Sequence, residues 1–93
     1  MWAVVWGDSY EDVMHFMDLD KAKHKLVIQS FEDERYNIYF HPFMWEFTEH
    51  EGVMMRSKLV WSLDFVTLKQ LGYDINDAYA NPVLAFPAIR LVY

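Results

Sequence analysis

The stretch HPFMWEFTEHEGVMMRSKLVW, residues 41–61, decides the fold that the sequence predicts. Two runs rich in aromatic and apolar residues, FMWEF and VMMRSKLVW, flank the polar segment TEHEG. Strand-like runs on either side of a short polar segment with a glycine are typical of a β-hairpin. We therefore expect an antiparallel hairpin in which Trp45 lies opposite Met55 and Phe47 lies opposite Val53.

This register gives the hairpin a packed face and an outward face, because successive side chains of a strand point to opposite sides. The packed face would hold Phe43, Trp45, Phe47, Val53, Met55, Leu59 and Trp61. The outward face would hold Met44, Glu46, Met54, Arg56 and Lys58. Methionine suits adaptable binding surfaces, and tyrosine is common at interface hot spots. Met44, Met54 and Tyr39 are therefore candidates for contact with a partner.

The chain before the hairpin predicts three more strands. WAVVW, residues 2–6, is β-branched and aromatic with apolar side chains on both faces, which indicates a central strand. KLVIQSF, residues 25–31, and YNIYF, residues 36–40, predict an antiparallel pair joined by the charged segment EDER.

The segment between these strands allows two interpretations. Apolar residues repeat at helical spacing behind Ser9, which predicts a helix from about residue 9 to residue 18. The alternative is a strand from Val13 to Leu19 that turns at DKAK into the next strand.

Capping signals define a short helix after the hairpin. FVTLKQLG follows Asp64 and predicts a helix that ends at Gly72 in the left-handed conformation. Tyr73 is then placed to contact Leu68, as in a Schellman ending.

The last part of the chain predicts one further helical turn and an extended run. DINDAYANP would be capped by Asp74 and would end before Asn81 and Pro82. VLAFPAIRLVY would form an edge strand or enter the sheet only after Pro87, because proline cannot donate to a ladder.

This order of elements predicts an α+β fold. We expect one small domain over residues 1–93, with a mostly antiparallel sheet of about five to six strands and two short helices packed on one face.

Large aromatic side chains are unusually abundant for so short a chain. The 93 residues include four Trp, six Tyr and seven Phe. Each buries about 150 to 250 Å² when enclosed, and a domain of this size buries only about two-thirds of its unfolded surface. Some of these rings should therefore lie at the surface, where contiguous apolar patches mark contact sites.

The net charge of −6 is unevenly distributed. Residues 1–51 hold eleven acidic and four basic residues, a balance of −7, whereas residues 52–93 hold three and four, a balance of +1. An acidic surface repels phosphate and attracts a basic partner. We expect no direct contact with nucleic acid.

The sequence contains no recognisable catalytic, cofactor or metal motif. Absence of cysteine excludes disulfides and thiolate chemistry, and the three separated glycines form no phosphate-binding loop. Glu46 and His50 have the spacing of a helical metal pair but fall in and beside the hairpin loop, so we expect no metal site. No segment resembles a signal peptide or an apolar run of ~20 residues, which predicts a cytoplasmic protein without membrane contact.

Three functions are compatible with these patterns. The first is a non-enzymatic acidic protein-interaction module that inhibits a basic nucleic-acid-handling protein, as phage anti-defence (anti-CRISPR) and toxin-immunity proteins do, with carboxylates standing in for phosphates. The second is a homo-oligomeric structural or accessory subunit, a homodimer joined through the last strand, AIRLVY. The third is a small enzyme with an Asp or His in a pocket. The candidate partner-binding residues are Glu32, Asp33, Glu34, Tyr39, Met44, Glu46, Glu49, Glu51 and Met54.

Overall fold

Five antiparallel strands and three α-helices make up the part of the chain that the computed structural model describes, residues 1–5, 13–36 and 42–92. The strands are β1 (Trp2–Val5), β2 (Val13–Phe16), β3 (Phe43–His50), β4 (Val53–Leu63) and β5 (Ile89–Leu91). The helices are α1 (Leu19–Arg35), α2 (Phe65–Gln70) and α3 (Ile75–Ala80), followed by a 3₁₀ segment, Pro82–Ala88. The sheet order is β2-β1-β3-β4-β5, and every neighbouring pair is antiparallel. This confirms the α+β class.

The longest helix, α1, occupies residues for which the sequence predicts a strand and a charged connection. The strand predicted over residues 25–31 is wrong, as is the turn at DKAK. The Asp18 carboxylate caps the helix by accepting hydrogen bonds from the backbone N–H groups of Asp20, at 2.8 Å, and Lys21, at 3.4 Å. The helix buries one face, made of Ala22, Leu26, Val27, Ser30, Phe31 and Asp33. Packing of this buried face stabilises the helix by more than the local preference of Val27 and Ile28 for a β-strand opposes it.

Strand β2 takes four residues of the helix predicted over residues 9–18, and residues 9–12 lie outside the described residues. Residues 13–16 pair with β1, from Val5 with Val13 to Trp2 with Phe16. The helix is therefore wrong for residues 13–18, and the alternative strand is right for its first four residues. The strand predicted over residues 36–40 falls mainly outside the described residues, and its first residue, Tyr36, ends α1.

The position of β1 agrees with the sequence. It lies between β2 and β3, so it is a central strand as predicted. Trp6, the last residue of the predicted run, lies outside the described residues.

The short helices after the hairpin also agree with the sequence. The Asp64 carboxylate accepts hydrogen bonds from the N–H groups of Val66, at 3.0 Å, and Thr67, at 3.3 Å. The Gly72 N–H donates to the Lys69 carbonyl at 3.0 Å. The N–H of the next residue donates to the Leu68 carbonyl at 3.4 Å, which completes the Schellman pattern.

The C-terminal run differs from its prediction in one respect. Residues 82–88 form a 3₁₀ segment, whereas the sequence predicts extended chain. The strand itself begins at Ile89, which confirms that the chain enters the sheet only after Pro87. Asp74 caps α3 by accepting a hydrogen bond from the Asp77 N–H at 2.8 Å, and α3 ends at Ala80, as predicted.

One core joins the sheet to the helices. Its buried residues are Val4, Ala22, Leu26, Val27, Phe31, Met44, Leu63, Leu68, Ala78, Ala85, Ala88 and Ile89. Met44 is 1% exposed, so its predicted position on an outward face is wrong. Within the described ranges, no helix combines the length and the apolar character needed to cross a membrane.

Candidate protein-docking surface

The β3–β4 hairpin is present as predicted, but its register is different. His50 pairs with Val53, which leaves Glu51 and Gly52 as a two-residue turn with φ of +52° and +78°. Positive φ at both central residues is the requirement of a type I′ turn. Phe47 therefore pairs with Arg56 rather than with Val53, a shift of three residues.

A shift by an odd number of residues exchanges the two faces of a strand. The packed face predicted for the hairpin is wrong for Phe43, Val53, Met55 and Leu59, which are exposed. Met54, on the opposite face of β4, is exposed as well. The signal that could have set the register is Gly52, because glycine readily adopts the positive φ that a type I′ turn requires at its second central position.

A bulge lies where the hairpin leaves the sheet. Trp45 pairs with Val60, and Phe47 pairs with Arg56. Between these pairs, the single residue Glu46 of β3 lies opposite the three residues 57–59 of β4. The Ser57 hydroxyl accepts a hydrogen bond from the Leu59 N–H at 3.1 Å within this irregular segment. Bulges bend and twist a strand pair, so this one sets the direction of the chain beyond it.

Beyond the bulge, no other strand of the described residues pairs with the hairpin. We call residues 48–59 the arm. On one side, the contact of β3 with the N-terminal strand ends at Phe47, whose N–H donates to the Met1 carbonyl at 2.7 Å. On the other side, the contact of β4 with the C-terminal strand ends at Val60, whose carbonyl accepts from the Val92 N–H at 3.0 Å. The elongated dimensions of the molecule, 45 × 23 × 23 Å, agree with a projecting arm.

The arm carries large apolar side chains that the described residues leave open to solvent. Val53 is 61% exposed, Met54 39%, Met55 53% and Leu59 39%. Met54 pairs with Glu49 and Met55 pairs with Thr48, so apolar side chains occur on both faces of the arm. A two-stranded hairpin is only marginally stable in water, and apolar clusters of this kind mark contact sites.

Charges of opposite sign occupy the two ends of the arm. The tip carries Glu49 and Glu51, and the His50 Nε2 atom lies 4.0 Å from the Glu51 Oε1 atom. Both side chains of that pair are largely exposed, so the pair contributes little to stability. The base carries Arg56 and Lys58.

The structure brings three of the predicted partner-binding residues together. Glu49, Glu51 and Met54 are all exposed at the tip of the arm. Glu46 is half-buried beside the bulge. Met44 is in the core, and Tyr39 lies outside the described residues.

The helical acids of the predicted set lie at the opposite end of the sheet. Glu34 lines a cavity together with Phe65 and Tyr73. These two aromatic residues come after the end of β4 at Leu63, whereas the hairpin turn lies before its start at Val53. The cavity is therefore at the end of the strand away from the turn. Glu32 is half-buried on the same helix. Asp33 is buried and accepts a hydrogen bond from the Gln29 side-chain amide at 3.1 Å. Its assignment to a solvent-exposed acidic patch is therefore wrong.

Two further observations concern the polar side chains of the described residues. No cluster of three or more His, Asp or Glu side chains in residues 1–5, 13–36 and 42–92 is arranged to hold a metal ion. The Thr67 hydroxyl donates to the Asp64 Oδ2 atom at 2.5 Å, and this bond lowers the pKa of the Asp64 carboxyl below its usual value, with the backbone N–H groups of the cap adding to the effect.

Comparison with known protein families, with curated proteins and with solved structures finds no match for this chain. The geometry of the arm is therefore the basis on which a function can be inferred. Its defining features are exposed apolar side chains, an acidic tip and strand edges that are unpaired among the described residues.

Proposed function

We propose that this protein is a non-enzymatic protein-interaction module that docks on a basic partner through the arm. In this proposal the partner is a nucleic-acid-handling protein of the cytoplasm, and docking inhibits it. The observation that carries the proposal is the exposure of Val53, Met54, Met55 and Leu59 on a hairpin that projects beyond the rest of the sheet.

The apolar side chains of the arm would supply most of the affinity. Burial of exposed apolar surface in a partner's groove removes it from water, which is the main driving force of association. Methionine adapts its shape to such a groove because its side chain is unbranched and flexible. The outer backbone edge of β4 could also pair with a strand of the partner, as in β-strand addition.

The acidic residues would mainly control the rate of association and the choice of partner. The net charge of −6 attracts a basic surface over several ångströms, and Glu49 and Glu51 place negative charge beside the apolar contacts. Salt screens such attraction, so association should slow as the ionic strength rises.

Affinity capture with a matched pair of variants tests the apolar contact. Met55→Asp places a charge on the arm, and Val66→Asp places the same charge on α2, where the valine is 67% exposed. We expect the wild type and Val66→Asp to capture the same basic nucleic-acid-handling protein and to inhibit it in a purified assay. Met55→Asp should do neither. Equal capture by both variants, or capture without inhibition, would contradict the proposal.

Charge reversal tests the electrostatic contribution separately. Glu49→Lys with Glu51→Lys should slow association with the captured partner and weaken its dependence on salt. Glu32→Lys with Glu34→Lys makes the same change of charge on α1. It should have a smaller effect, because that helix end lies away from the arm. A larger effect of the α1 pair would move the contact surface to the helix.

The second candidate function is a homodimeric subunit joined through β5. This strand is at the edge of the sheet, and Leu91 and Val92 are 43% and 52% exposed. Edge strands of this kind can pair across a two-fold axis. Analytical ultracentrifugation should then find a dimer that Leu91→Lys dissociates. A monomer at all concentrations rules this function out.

A further inference from the structure

The two faces of the arm differ in composition. Met44 of β3 is buried against the helices, and alternate residues of a strand point to the same side, so Thr48 and His50 also point to the helix side of the sheet. Met55 pairs with Thr48 and Val53 pairs with His50, which places both apolar side chains on this side as well. We call the side formed by these four arm residues the inner face of the arm.

The inner face carries no Asp, Glu, Lys or Arg side chain. Among the paired residues of the arm, 48–50 and 53–56, the charged ones are Glu49 and Arg56, and both lie on the opposite face. Burial of an unpaired charge is costly, whereas burial of Val53 and Met55 removes only apolar surface from water. The surface that covers the inner face should therefore be apolar and uncharged as well.

The arm lacks the second layer that the same sheet has in the body of the molecule. In the body, Phe31 of α1 packs in one core with Val4 and Met44, so the helices cover this side of the strands. On the arm, the described residues leave Val53 and Met55 more than half exposed on the same side. A stable domain has two packed layers, and a hairpin alone is only marginally stable in water.

A second copy of the chain can supply this layer, because its own inner face is apolar and uncharged. Two stacked pairs of strands would lie about 10 Å apart. The helices of each copy lie on the side of its inner face, so two bodies placed side by side would overlap. We propose that two copies pair through the inner faces of their arms across a two-fold axis, with the tip of each arm over the base of the other.

The charges at the two ends of the arm agree with this direction. The tip has an excess of acidic residues, with Glu49 and Glu51 beside His50. The base has an excess of basic residues, with Arg56 and Lys58 beside the half-buried Glu46. Pairing of tip with base brings these opposite excesses together, whereas pairing of tip with tip would collect the carboxylates of both copies. Exposed pairs add little affinity, so the charges select the direction and the inner faces hold the arms together.

Sedimentation equilibrium of the full chain, without any partner, tests the pairing. The wild type should change from monomer to dimer as its concentration rises, and Met55→Asp should remain a monomer. Met54→Asp places the same charge on the opposite face of the same strand and should still dimerise, with circular dichroism showing that both variants are folded. Leu91→Lys should also dimerise, because β5 lies outside the arm.

A pair of charge reversals tests the direction of pairing without altering the inner face. Glu51→Lys alone and Lys58→Glu alone should each weaken the dimer by about twofold to thirtyfold, the usual worth of two exposed ion pairs. An equimolar mixture of the two variants should restore the affinity, because each tip then meets a base of opposite charge. Unchanged affinity of the single variants, or no recovery in the mixture, would overturn the proposed arrangement.

Three outcomes of the sedimentation experiment would overturn the pairing itself. They are a wild type that is monomeric at all concentrations, equal dissociation by Met54→Asp and Met55→Asp, and a dimer that only Leu91→Lys dissociates. The inference concerns the free protein and is independent of the partner proposed above. A monomer that still captures its partner would overturn this inference and leave the proposed function standing.

Discussion

The guanidinium carbon of Arg56 lies 4.2 Å from the centre of the Trp45 ring, although the two residues do not pair across the hairpin. Trp45 pairs with Val60 on the sheet side of the bulge, and Arg56 pairs with Phe47 on the arm side. The cation–π contact therefore spans the bulge. It connects the first residues of the arm to the body of the sheet.

Loss of this contact should destabilise the protein measurably. Arg56→Gln is expected to lower the free energy of unfolding by about 0.5 to 1 kcal/mol, the usual worth of an exposed cation–π pair. Urea denaturation of Arg56→Gln, Trp45→Leu and the double variant would isolate the pair, because Arg56 also makes other interactions. A coupling energy near zero would show that the ring and the guanidinium do not stabilise each other.

Two methionines distinguish the observed register from the predicted one. Met44→Ala should lower the free energy of unfolding by about 2 to 5 kcal/mol, because it empties part of the core. Met54→Ala removes the same atoms from an exposed position and should change stability by less than about 0.5 kcal/mol. Thermal and urea denaturation would measure both. Equal losses would mean that the faces of the hairpin are not those described.

Gly72 should be sensitive to substitution for conformational reasons alone. Its φ is +86°, and a Cβ atom added there meets nothing within 4 Å. Gly72→Ala is therefore expected to lower the free energy of unfolding by about 1 to 2 kcal/mol through backbone strain. Leu71→Ala, at the neighbouring exposed position with ordinary helical angles, should have a smaller effect in urea denaturation. The reverse order would argue against the left-handed ending.

The cap at Asp64 should make stability depend on pH in acid. The Thr67 hydroxyl is the main cause of the lowered pKa of Asp64, which starts from an ordinary value of 3.8. A carboxyl with a lowered pKa in the folded state stabilises that state above its unfolded pKa, and this contribution disappears as the pH falls through the folded pKa. Asp64→Ala should thus be more destabilising at pH 7 than at pH 2.

NMR titration of the Asp64 side chain provides the direct measurement. Thr67→Val keeps the shape of the side chain but removes the hydroxyl, so the pKa of Asp64 should rise. Thr48→Val, on the exposed arm, is the matched control and should leave that pKa unchanged. An unchanged pKa in Thr67→Val would mean that the hydroxyl is not its principal cause.

The parts of the fold that the sequence predicts correctly have local causes. Three features depend on residues that are close together in the chain: the hairpin, the helix after Asp64 and the start of β5 after Pro87. The prediction fails for α1, where Val27 and Ile28 favour a strand locally. Yet Val27 and Phe31 lie four residues apart in a buried stripe at helical spacing, and Asp18 supplies a cap.

The candidate docking surface was predictable only in part. Glu49, Glu51 and Met54 meet at the arm tip because the turn between the strands brings them together. Met44 and Asp33 do not join them, since their side chains point into the fold. Their positions depend on register and on helix packing, neither of which a short pattern of residue types specifies.

The sequence by itself determined the cap at Asp74, the helix after Asp64, the turn at Gly72, the point at which β5 enters the sheet and the acidic, cysteine-free character of the chain. Their physical causes lie in backbone angles and charges within a few residues. Only the tertiary structure decided that residues 19–35 are a helix and which face of the hairpin is buried. Both have the same physical cause. Leu26, Phe31 and Met44 are buried in one hydrophobic core, where they pack against residues that are distant in the chain.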